Sequence, residues 1–291
     1  MDATQLSADL NARYNKQLNC LQVLSSGSVE GRYVTTALGP VWVLEAGPKD
    51  GPPLIALHGL HTPGPFNLEF FWSLAQNFRV ISPDIPGQAG KTPGIAPLPA
   101  GQAYAMWLDQ LMDELAIDAC PMVGLSFGAA ILLDMAAYKP ERINRASLVV
   151  PAGFFRPLWR PLKQLVMPFL GFKLHTDQLH FDQLMKPLMG ENWPELERYY
   201  YSVFEAGIPM TLIPPGPFGA SDLSRFSAPV QLIYAQDDLY FDPDKLLKKA
   251  MQALPSIQEH RLINDLHVPS EQNRLLIQDD VLGFMRNKTG I

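Results

Sequence analysis

A serine flanked by glycines is the feature of the sequence best suited to perform chemistry. The pentapeptide GLSFG at 124–128 directly follows an apolar run at 120–123 and precedes a stretch of helical character. In this context the pentapeptide predicts a sharp strand-to-helix turn that exposes the Ser126 hydroxyl at the carboxyl end of a sheet. The glycines two residues to either side allow the strand and the helix to approach closely, although an ordinary glycine-rich turn is the alternative interpretation.

A serine hydroxyl becomes a good nucleophile only when a base removes its proton and a carboxylate orients that base. Strand-to-helix turns of this kind use the chain order serine, acid, histidine. His267 lies in a polar loop after the run EHRLI at 259–263, and it is therefore the candidate base. His260 falls inside that strand pattern, which favours a structural role for it. The remaining histidines are His58, His61, His175 and His180.

In the strand-to-helix architecture that this turn resembles, the acid lies at the carboxyl edge of the same sheet, in the turn after one of the two strands that follow the serine. The first of these turns, within ASLVVPAGFF at 146–155, contains no Asp or Glu. The second follows QLIYA at 231–235 and contains both Asp237 and Asp238. Aspartates are common in turns for local reasons, so the residues alone leave the choice between these two open.

The negative charge that develops on a substrate carbonyl oxygen requires backbone N–H donors, which form an oxyanion hole. One donor is expected from Phe127, immediately after the nucleophile, and the other from Leu60 in the segment HGLH at 58–61. His58 and His61 are also spaced like a metal pair, but no third ligand at a suitable spacing accompanies them. We therefore expect neither a metal nor a cofactor at this site.

The elements that must position these residues are short apolar runs separated by segments of helical character. Runs of this kind, bounded by turn residues, are typical of strands buried on both faces of a sheet. Their alternation with helices at 103–115 and 127–138 predicts an α/β fold with a mostly parallel sheet covered by helices. Two further strand patterns (32–38 and 41–47) and a helix (4–20) precede them. The buried runs lie at 53–59, 78–84, 120–126, 146–153 and 229–238.

Taken together and in this order, five motifs resemble the α/β-hydrolase superfamily. The resemblance implies a mostly parallel central sheet flanked by helices, which we assign to residues 28–153 and 227–291. The helix pattern that precedes it makes residues 1–27 an N-terminal helical extension. The resemblance also implies that the segment 154–226, which contains no strand pattern, is an inserted helical cap. The motifs are HGLH (58–61), PDIPGQAGKT (83–92), GLSFG (124–128), AQDD (235–238) and LHVPSE (266–271).

The resemblance also selects the acid and narrows the reaction. In this family the strand ends with a small residue and two variable residues before the acid, so Asp238 matches and Asp237 is a variable turn position. Haloalkane dehalogenases and epoxide hydrolases of this fold use Asp where this chain has Ser126. The resemblance therefore implies a serine esterase with a Ser126–His267–Asp238 triad. Carbon–carbon bond hydrolysis of dienoates on the same triad and a ligand receptor with little turnover are the alternatives.

The insertion at 154–226 is rich in large apolar side chains, which predicts that it covers an apolar substrate pocket. A small to medium, mainly uncharged ester is therefore the expected substrate. A membrane-surface helix is disfavoured because Pro157, Pro161 and Pro168 are expected to interrupt it. We interpret the tyrosines at 199–201 as core of the insertion. The group His175, Asp177, His180 and Asp182 is interpreted as a solvated surface rather than a metal site.

The composition limits the class of protein. The chain has 291 residues, of which 47% are hydrophobic and 18% charged, and this indicates a folded globular protein rather than a disordered one. The formal net charge of −6 argues against non-specific nucleic-acid binding. Cys20 and Cys120 cannot form a disulfide framework, and the first residues lack the pattern of a signal peptide. We therefore expect a cytoplasmic protein with a small-molecule partner; homo-oligomer formation is left open.

Overall fold

In the computed structural model, eight strands within the described residues form one sheet. The strands are β1 (Val29–Thr36), β2 (Gly39–Ala46), β3 (Pro53–Leu57), β4 (Arg79–Pro83), β5 (Cys120–Leu125), β6 (Ile143–Val149), β7 (Val230–Ala235) and β8 (Ile257–Ile263). Their spatial order is β1-β2-β4-β3-β5-β6-β7-β8. The pairs β1–β2 and β2–β4 are antiparallel, and all other neighbours are parallel. The described residues are 6–25, 28–156, 159–189, 193–208 and 213–286, with the side chains of 159–163 excepted.

Helices flank this sheet, and the α/β fold predicted from the alternation of strands and helices is confirmed. The connections between the parallel strands contain helices, as the packing of a buried parallel sheet requires. Within the described ranges the α-helices are α1 (Ala8–Leu24), α2 (Gly64–Phe70), α3 (Ala103–Glu114), α4 (Phe127–Tyr138), α5 (Trp159–Leu174), α6 (Gln178–Met185), α7 (Pro194–Glu205), α8 (Pro243–Ala253) and α9 (Glu271–Arg286), and two short 3-10 helices cover Trp72–Gln76 and Pro140–Arg142.

Three helices, α5 to α7, lie between β6 and β7 in the chain, inside the segment 154–226, which we call the helical insertion. The expectation that prolines interrupt this segment is wrong for Pro168, because α5 continues through it. Pro161 is the third residue of α5, where a backbone N–H has no partner within the helix and proline is tolerated. Pro157 lies outside the described residues. No helix among the described residues is long and apolar enough to cross a bilayer.

Two element boundaries differ from the sequence prediction for local reasons. The first helix covers Ala8–Leu24 rather than 4–20, because the Ser7 side chain accepts the N–H of Leu10 and caps the helix there. Strand β6 begins at Ile143, three residues before the predicted run, because Ile143 pairs with Cys120 at the start of β5.

The strand β5 and the helix α4 occupy the centre of the molecule. All residues of α4 from Phe127 to Ala136 are buried, and Asp134 is the one charged residue among them. The parallel strands β3, β5 and β7 end at the same edge of the sheet, at Leu57, Leu125 and Ala235. The loops that follow these three strands are therefore neighbours, and they include all of the predicted site residues except His267, which follows β8.

The N-terminal helix packs against the loop after β4 through Lys91. The Lys91 ammonium group donates a hydrogen bond to the Asn15 side-chain oxygen (2.6 Å). It also lies 4.6 Å from the centre of the Tyr14 ring and 4.9 Å from that of Trp42, within the range of cation–π attraction. Lys91 of the motif at 83–92 thus connects α1 with the strand β2.

Candidate active site

Ser126 lies at the tight turn between β5 and α4. Its backbone has a φ of 48° and a ψ of −105°, a strained conformation for a residue with a side chain. A Cβ atom on Gly124 would lie 2.6 Å from the backbone of Ala129, and one on Gly128 would lie 2.2 Å from the Leu57 carbonyl oxygen. Close backbone approach therefore requires both glycines, and the turn leaves Ser126 partly exposed at the carboxyl edge of the sheet.

The structure brings Ser126, His267 and Asp238 into one hydrogen-bonded chain. The Ser126 Oγ atom lies 2.8 Å from His267 Nε2, and His267 Nδ1 lies 2.8 Å from Asp238 Oδ2. The Asp238 carboxylate can only accept, so Nδ1 carries the proton and Nε2 is free to accept the serine hydroxyl. The side chains of Asp238 and His267 are 1% and 9% exposed, which shields this chain of hydrogen bonds from water.

The neighbouring aspartate Asp237, which the residues alone did not separate from Asp238, has a different environment. Its side chain is exposed, and its backbone N–H donates to the Asp265 carbonyl oxygen (3.0 Å). Within the part of the chain that the structure describes, no hydrogen bond joins Asp237 to His267. Of the two candidates, only Asp238 faces the imidazole.

The loop that carries His267 is held by Asp265. The Asp265 carboxylate accepts hydrogen bonds from the Ser270 N–H (2.8 Å), the Ser270 hydroxyl (2.6 Å) and the Asn273 amide (2.6 Å). Burial opposes ionisation of this carboxylate, but these donors outweigh it and lower the pKa of Asp265. The ionised carboxylate therefore pins the segment 265–273 on both sides of His267.

The two candidate oxyanion donors lie on neighbouring loops. The N–H of Phe127 is the first of helix α4, where a backbone N–H has no intrahelical acceptor and the helix dipole favours negative charge. The backbone at Leu57 and His58 packs directly against Gly128 of the same helix. No acceptor for the N–H of Leu60 or Phe127 occurs among the described residues, so both remain available to a ligand.

The direction of the Leu60 N–H follows from the bonds to the preceding carbonyl group. The Gly59 carbonyl oxygen accepts from His58 Nδ1 (2.7 Å) and from the Thr62 N–H (3.2 Å). In a trans peptide the C=O and N–H groups point in opposite directions, so the Leu60 N–H points away from His58 and Thr62. The anchored carbonyl thereby aims the donor out of the loop.

The two histidines of this loop bind backbone groups through their ring nitrogens. His58 Nε2 accepts the Ile85 N–H (2.9 Å), so its Nδ1 carries the proton that is donated to Gly59. Burial lowers the pKa of His58 from 6.5 to about 4, which keeps this imidazole neutral. His61 Nδ1 accepts the Ala89 N–H (3.0 Å). In the described ranges, no group of three His, Cys, Asp or Glu residues is placed to hold a metal ion.

Asp84 of the motif at 83–92 joins the loop after β4 to the start of α2. Its carboxyl oxygens accept the N–H groups of Gly64 and Lys91, both at 2.7 Å. Burial raises the pKa of Asp84 to about 6, although these two hydrogen bonds oppose the shift. A Cβ atom on Gly90 would lie 2.9 Å from this carboxyl group, which explains the glycine at that position.

Sequence reasoning did not identify the aromatic residues around His267. The Tyr240 ring packs edge-on against the imidazole, with ring centres 4.8 Å apart, and the Phe241 ring lies 6.3 Å away. Phe155 of the helical insertion stacks on Phe241 at 6.0 Å. Tyr240 is two positions after Asp238, and this short separation in the sequence could have identified it as a neighbour of the site.

The other histidines do not join this site. His260 lies in β8, as its strand pattern predicted, and its side chain is exposed. His175 and His180 stack on each other in the helical insertion at 5.1 Å, and His180 Nδ1 lies 2.8 Å from the exposed Asp177 carboxylate. Both imidazoles are thus part of a local surface contact between α5 and α6.

A model of the alpha/beta hydrolase family matches residues 54–277. The chain is 24% identical to a relative named uncharacterized carboxylesterase nap from Bacillus subtilis (strain 168), over 98% of this chain and 96% of the relative. It is 26% identical to 2-hydroxy-6-oxo-6-phenylhexa-2,4-dienoate hydrolase from Burkholderia cepacia, over 64% of this chain and 70% of the relative.

Among solved structures, carboxylesterase CesB (YbfK) from Bacillus subtilis matches with a TM-score of 0.79 and 22% identity, over 97% of this chain and 100% of that structure. This similarity concerns the fold. The family model extends over most of the chain, from β3 into α9. The chain therefore belongs to the alpha/beta hydrolase family.

Proposed function

We propose that the protein is a serine carboxylesterase that cleaves a small to medium, mainly apolar ester through an acyl-enzyme on Ser126. The observation that carries this proposal is the continuous hydrogen-bonded chain from the Ser126 hydroxyl through His267 to Asp238. The backbone donors of Leu60 and Phe127 at the same edge of the sheet support it. Relatives named as carboxylesterases support the same type of reaction.

In the first half-reaction, Ser126 Oγ attacks the ester carbonyl carbon while His267 Nε2 takes the hydroxyl proton. The carbonyl oxygen becomes an oxyanion that accepts hydrogen bonds from the N–H groups of Leu60 and Phe127. Asp238 holds the imidazole through Nδ1 and stabilises its charged form. When the tetrahedral intermediate collapses, His267 returns the proton to the alcohol, which leaves, and the acyl group remains on Ser126.

In the second half-reaction, water replaces the alcohol and the same groups act in the same roles. His267 removes a proton from the water as its oxygen attacks the acyl carbon, and the two N–H groups again stabilise the oxyanion. The intermediate then releases the carboxylic acid, and His267 gives the proton back to Ser126 Oγ. The cycle consumes one water and one ester and needs no cofactor.

The side chains that contact His267 favour an uncharged, apolar substrate. Tyr240, Phe241 and the adjacent Phe155 present aromatic surfaces, which bury apolar groups well. The Asp238 carboxylate is engaged by His267 and by the backbone N–H groups of Tyr240 and Phe241. An ester with a short or aromatic acyl group therefore fits this environment better than an anionic one.

The test combines ester turnover with covalent labelling. The wild-type protein should hydrolyse p-nitrophenyl butyrate and react with a fluorophosphonate probe. Ser126→Ala should abolish labelling and lower turnover by about 10⁴-fold or more, because the nucleophile is lost. Circular dichroism serves as the folding control. Undiminished labelling of the folded variant would remove Ser126 from the mechanism.

Hydrolysis of a carbon–carbon bond on the same triad is the second candidate, since one relative is named as a dienoate hydrolase. The ratio of kcat/KM for a ring-cleavage dienoate and for p-nitrophenyl butyrate distinguishes the two reactions. A ratio well above one would assign carbon–carbon hydrolysis. Stoichiometric labelling without turnover of either substrate would assign a ligand receptor of this fold.

A further inference from the structure

A tyrosine of the helical insertion contacts the loop that carries the Leu60 N–H. Tyr200 on α7 is 6% exposed, and its hydroxyl lies 2.8 Å from Thr62 Oγ1 and 3.3 Å from the Leu60 carbonyl oxygen. The Thr62 hydroxyl lies 3.2 Å from the same carbonyl oxygen. A side chain that is 140 residues away in the sequence thus closes a triangle of hydrogen bonds with this loop.

One of the two hydroxyl groups in this triangle always donates a hydrogen bond to the Leu60 carbonyl oxygen. Two hydroxyl protons serve three contacts, so either Tyr200 donates to Thr62 and Thr62 to Leu60, or Thr62 donates to Tyr200 and Tyr200 to Leu60. Burial raises the pKa of Tyr200 to about 12, and its hydroxyl therefore keeps its proton at neutral pH. In both arrangements the carbonyl accepts a hydrogen bond that depends on the pair of hydroxyls, and such chains strengthen each of their bonds.

Anchoring this carbonyl completes the positioning of the Leu60 N–H. The peptide before Leu60 is held by the bonds to the Gly59 carbonyl. The peptide after Leu60 is held by Tyr200 and Thr62. Peptides are planar, and the two planes meet at the Leu60 Cα atom, so fixing both fixes φ and ψ at Leu60. These bonds thereby restrain the direction of the Leu60 N–H from both sides.

The same helical insertion also contacts the loop of the candidate base. The Val268 N–H donates to the Leu188 carbonyl oxygen (2.8 Å), directly after His267. Burial raises the pKa of Tyr240, which packs on His267, and electrostatic interaction with Tyr200 and Asp238 raises it further. The helical insertion therefore contacts the Leu60 loop through Tyr200 and the His267 loop through Leu188.

We propose that Tyr200 is a positioning residue of the active site, whose hydroxyl acts through the Leu60 carbonyl to aim the Leu60 N–H at the oxyanion. This inference rests on the proposed function, because an oxyanion forms only if Ser126 attacks a carbonyl. It assigns to the helical insertion a part in catalysis in addition to covering the site. The transition state should depend on this hydroxyl more than the bound substrate or product does.

The experiment compares Tyr200→Phe with Tyr199→Phe in the full-length protein. Tyr199 is the adjacent, fully buried tyrosine, and its hydroxyl donates to the Ala89 carbonyl (2.8 Å) instead of the Leu60 carbonyl. The quantities to be measured are kcat and KM for p-nitrophenyl butyrate, and the affinities for a trifluoromethyl ketone inhibitor and for the product butyrate. The ketone forms an oxyanion on the serine, whereas the product acid does not.

Tyr200→Phe should lower kcat by about tenfold, a fraction of the 10²- to 10³-fold that loss of a whole oxyanion donor costs. The ketone affinity should fall by the same factor as kcat/KM, while KM and butyrate affinity change less than about twofold. Tyr199→Phe should leave all four values within about twofold. Thr62→Val, which removes the other hydroxyl at similar volume, should repeat the Tyr200→Phe pattern if that variant fails to fold.

Three results would overturn the inference. The first is an active wild-type protein whose Tyr200→Phe variant keeps its kcat within twofold. The second is a fall in kcat in Tyr199→Phe as large as that in Tyr200→Phe, or a fall in butyrate affinity in Tyr200→Phe as large as the fall in ketone affinity. Either result would indicate that Tyr200 has a structural role only. The third is a wild-type protein that neither hydrolyses esters nor reacts with a fluorophosphonate, and this result alone would also overturn the proposed function.

Discussion

The two oxygen atoms of Asp238 have different partners: one is held by backbone N–H groups, and the other faces the imidazole of His267. Oδ1 accepts the backbone N–H groups of Tyr240 (2.8 Å) and Phe241 (3.3 Å), so the carboxylate is fixed in orientation by its own turn. Oδ2 faces Nδ1 of His267 (2.8 Å). An amide at this position would keep its oxygen on the two N–H donors and turn its NH₂ group towards the imidazole.

Asp238→Asn should therefore lower ester turnover by about 10³- to 10⁴-fold with little loss of stability. The amide NH₂ would favour the tautomer with the proton on Nε2, which cannot accept the Ser126 proton. Asp237→Asn is the matched control, and its turnover should fall by less than about tenfold because its side chain is exposed. Steady-state kinetics and thermal unfolding measure both variants. The reverse order of effects would move the assignment to Asp237.

At the scale of elements, the loop after β3 is held by two other segments, the loop after β4 and the helix α7. His58 connects it to Ile85, Gln88 accepts the His61 N–H (2.7 Å), and Tyr200 reaches it from α7. Gln88 and Tyr200 bind backbone groups of the loop and Ile85 binds the His58 side chain, while the Leu60 N–H is left without an acceptor among the described residues. A loop of this kind is preorganised for an anion before the anion forms.

Two substitutions of His58 separate its two hydrogen bonds. The Asn side-chain nitrogen can take the position of His58 Nδ1, so His58→Asn should keep the bond to Gly59, lose the one to Ile85 and retain turnover within about tenfold. His58→Leu loses both bonds, frees the Gly59 carbonyl, and should lower kcat by about 10²-fold, the scale of a lost oxyanion donor. Measurements of kcat on folded variants check this order. Equal activity of the two variants would show that the Gly59 bond is unimportant.

The sequence predicted those residues of the candidate site whose neighbours in the sequence form a recognisable local motif. The strand-to-helix turn at Ser126 and the polar loop at His267 could be found because glycines and loop residues adjoin the functional side chain. Tyr200 could not be found, because its role depends on a contact with Leu60 that only the tertiary packing of α7 creates. For the same reason, the tyrosines of α7 were expected to be core only; they are mostly buried, but Tyr200 also reaches the active-site loop.

Across the whole molecule, buried carboxyl groups join separate elements, and their ionisation lowers the stability of the fold as the pH rises. Asp84 ties the loop after β4 to α2, and Asp134 on α4 accepts the Ala105 N–H at the start of α3 (3.0 Å). Burial raises the pKa of each from 3.8 to about 6. Between these values the folded protein holds a proton that the unfolded chain has released, so stability falls as the pH rises through this window.

Asp134→Asn should remove this cost without removing the acceptor, because the amide oxygen can still accept the Ala105 N–H. Above pH 6 the variant should be more stable than the wild type by about 1 to 3 kcal/mol, since one pKa unit corresponds to about 1.4 kcal/mol. The gain should shrink as the pH falls towards 4, where the wild-type carboxyl is protonated in the folded state. Denaturant unfolding at pH 4.5 and 7.5 measures this gain in the free energy of unfolding.

Asp118 is an exposed aspartate, and Asp118→Asn is the control, whose free energy of unfolding should change little at either pH. A gain for Asp134→Asn of equal size at both pH values would show that ionisation of this buried group does not limit the stability of the fold.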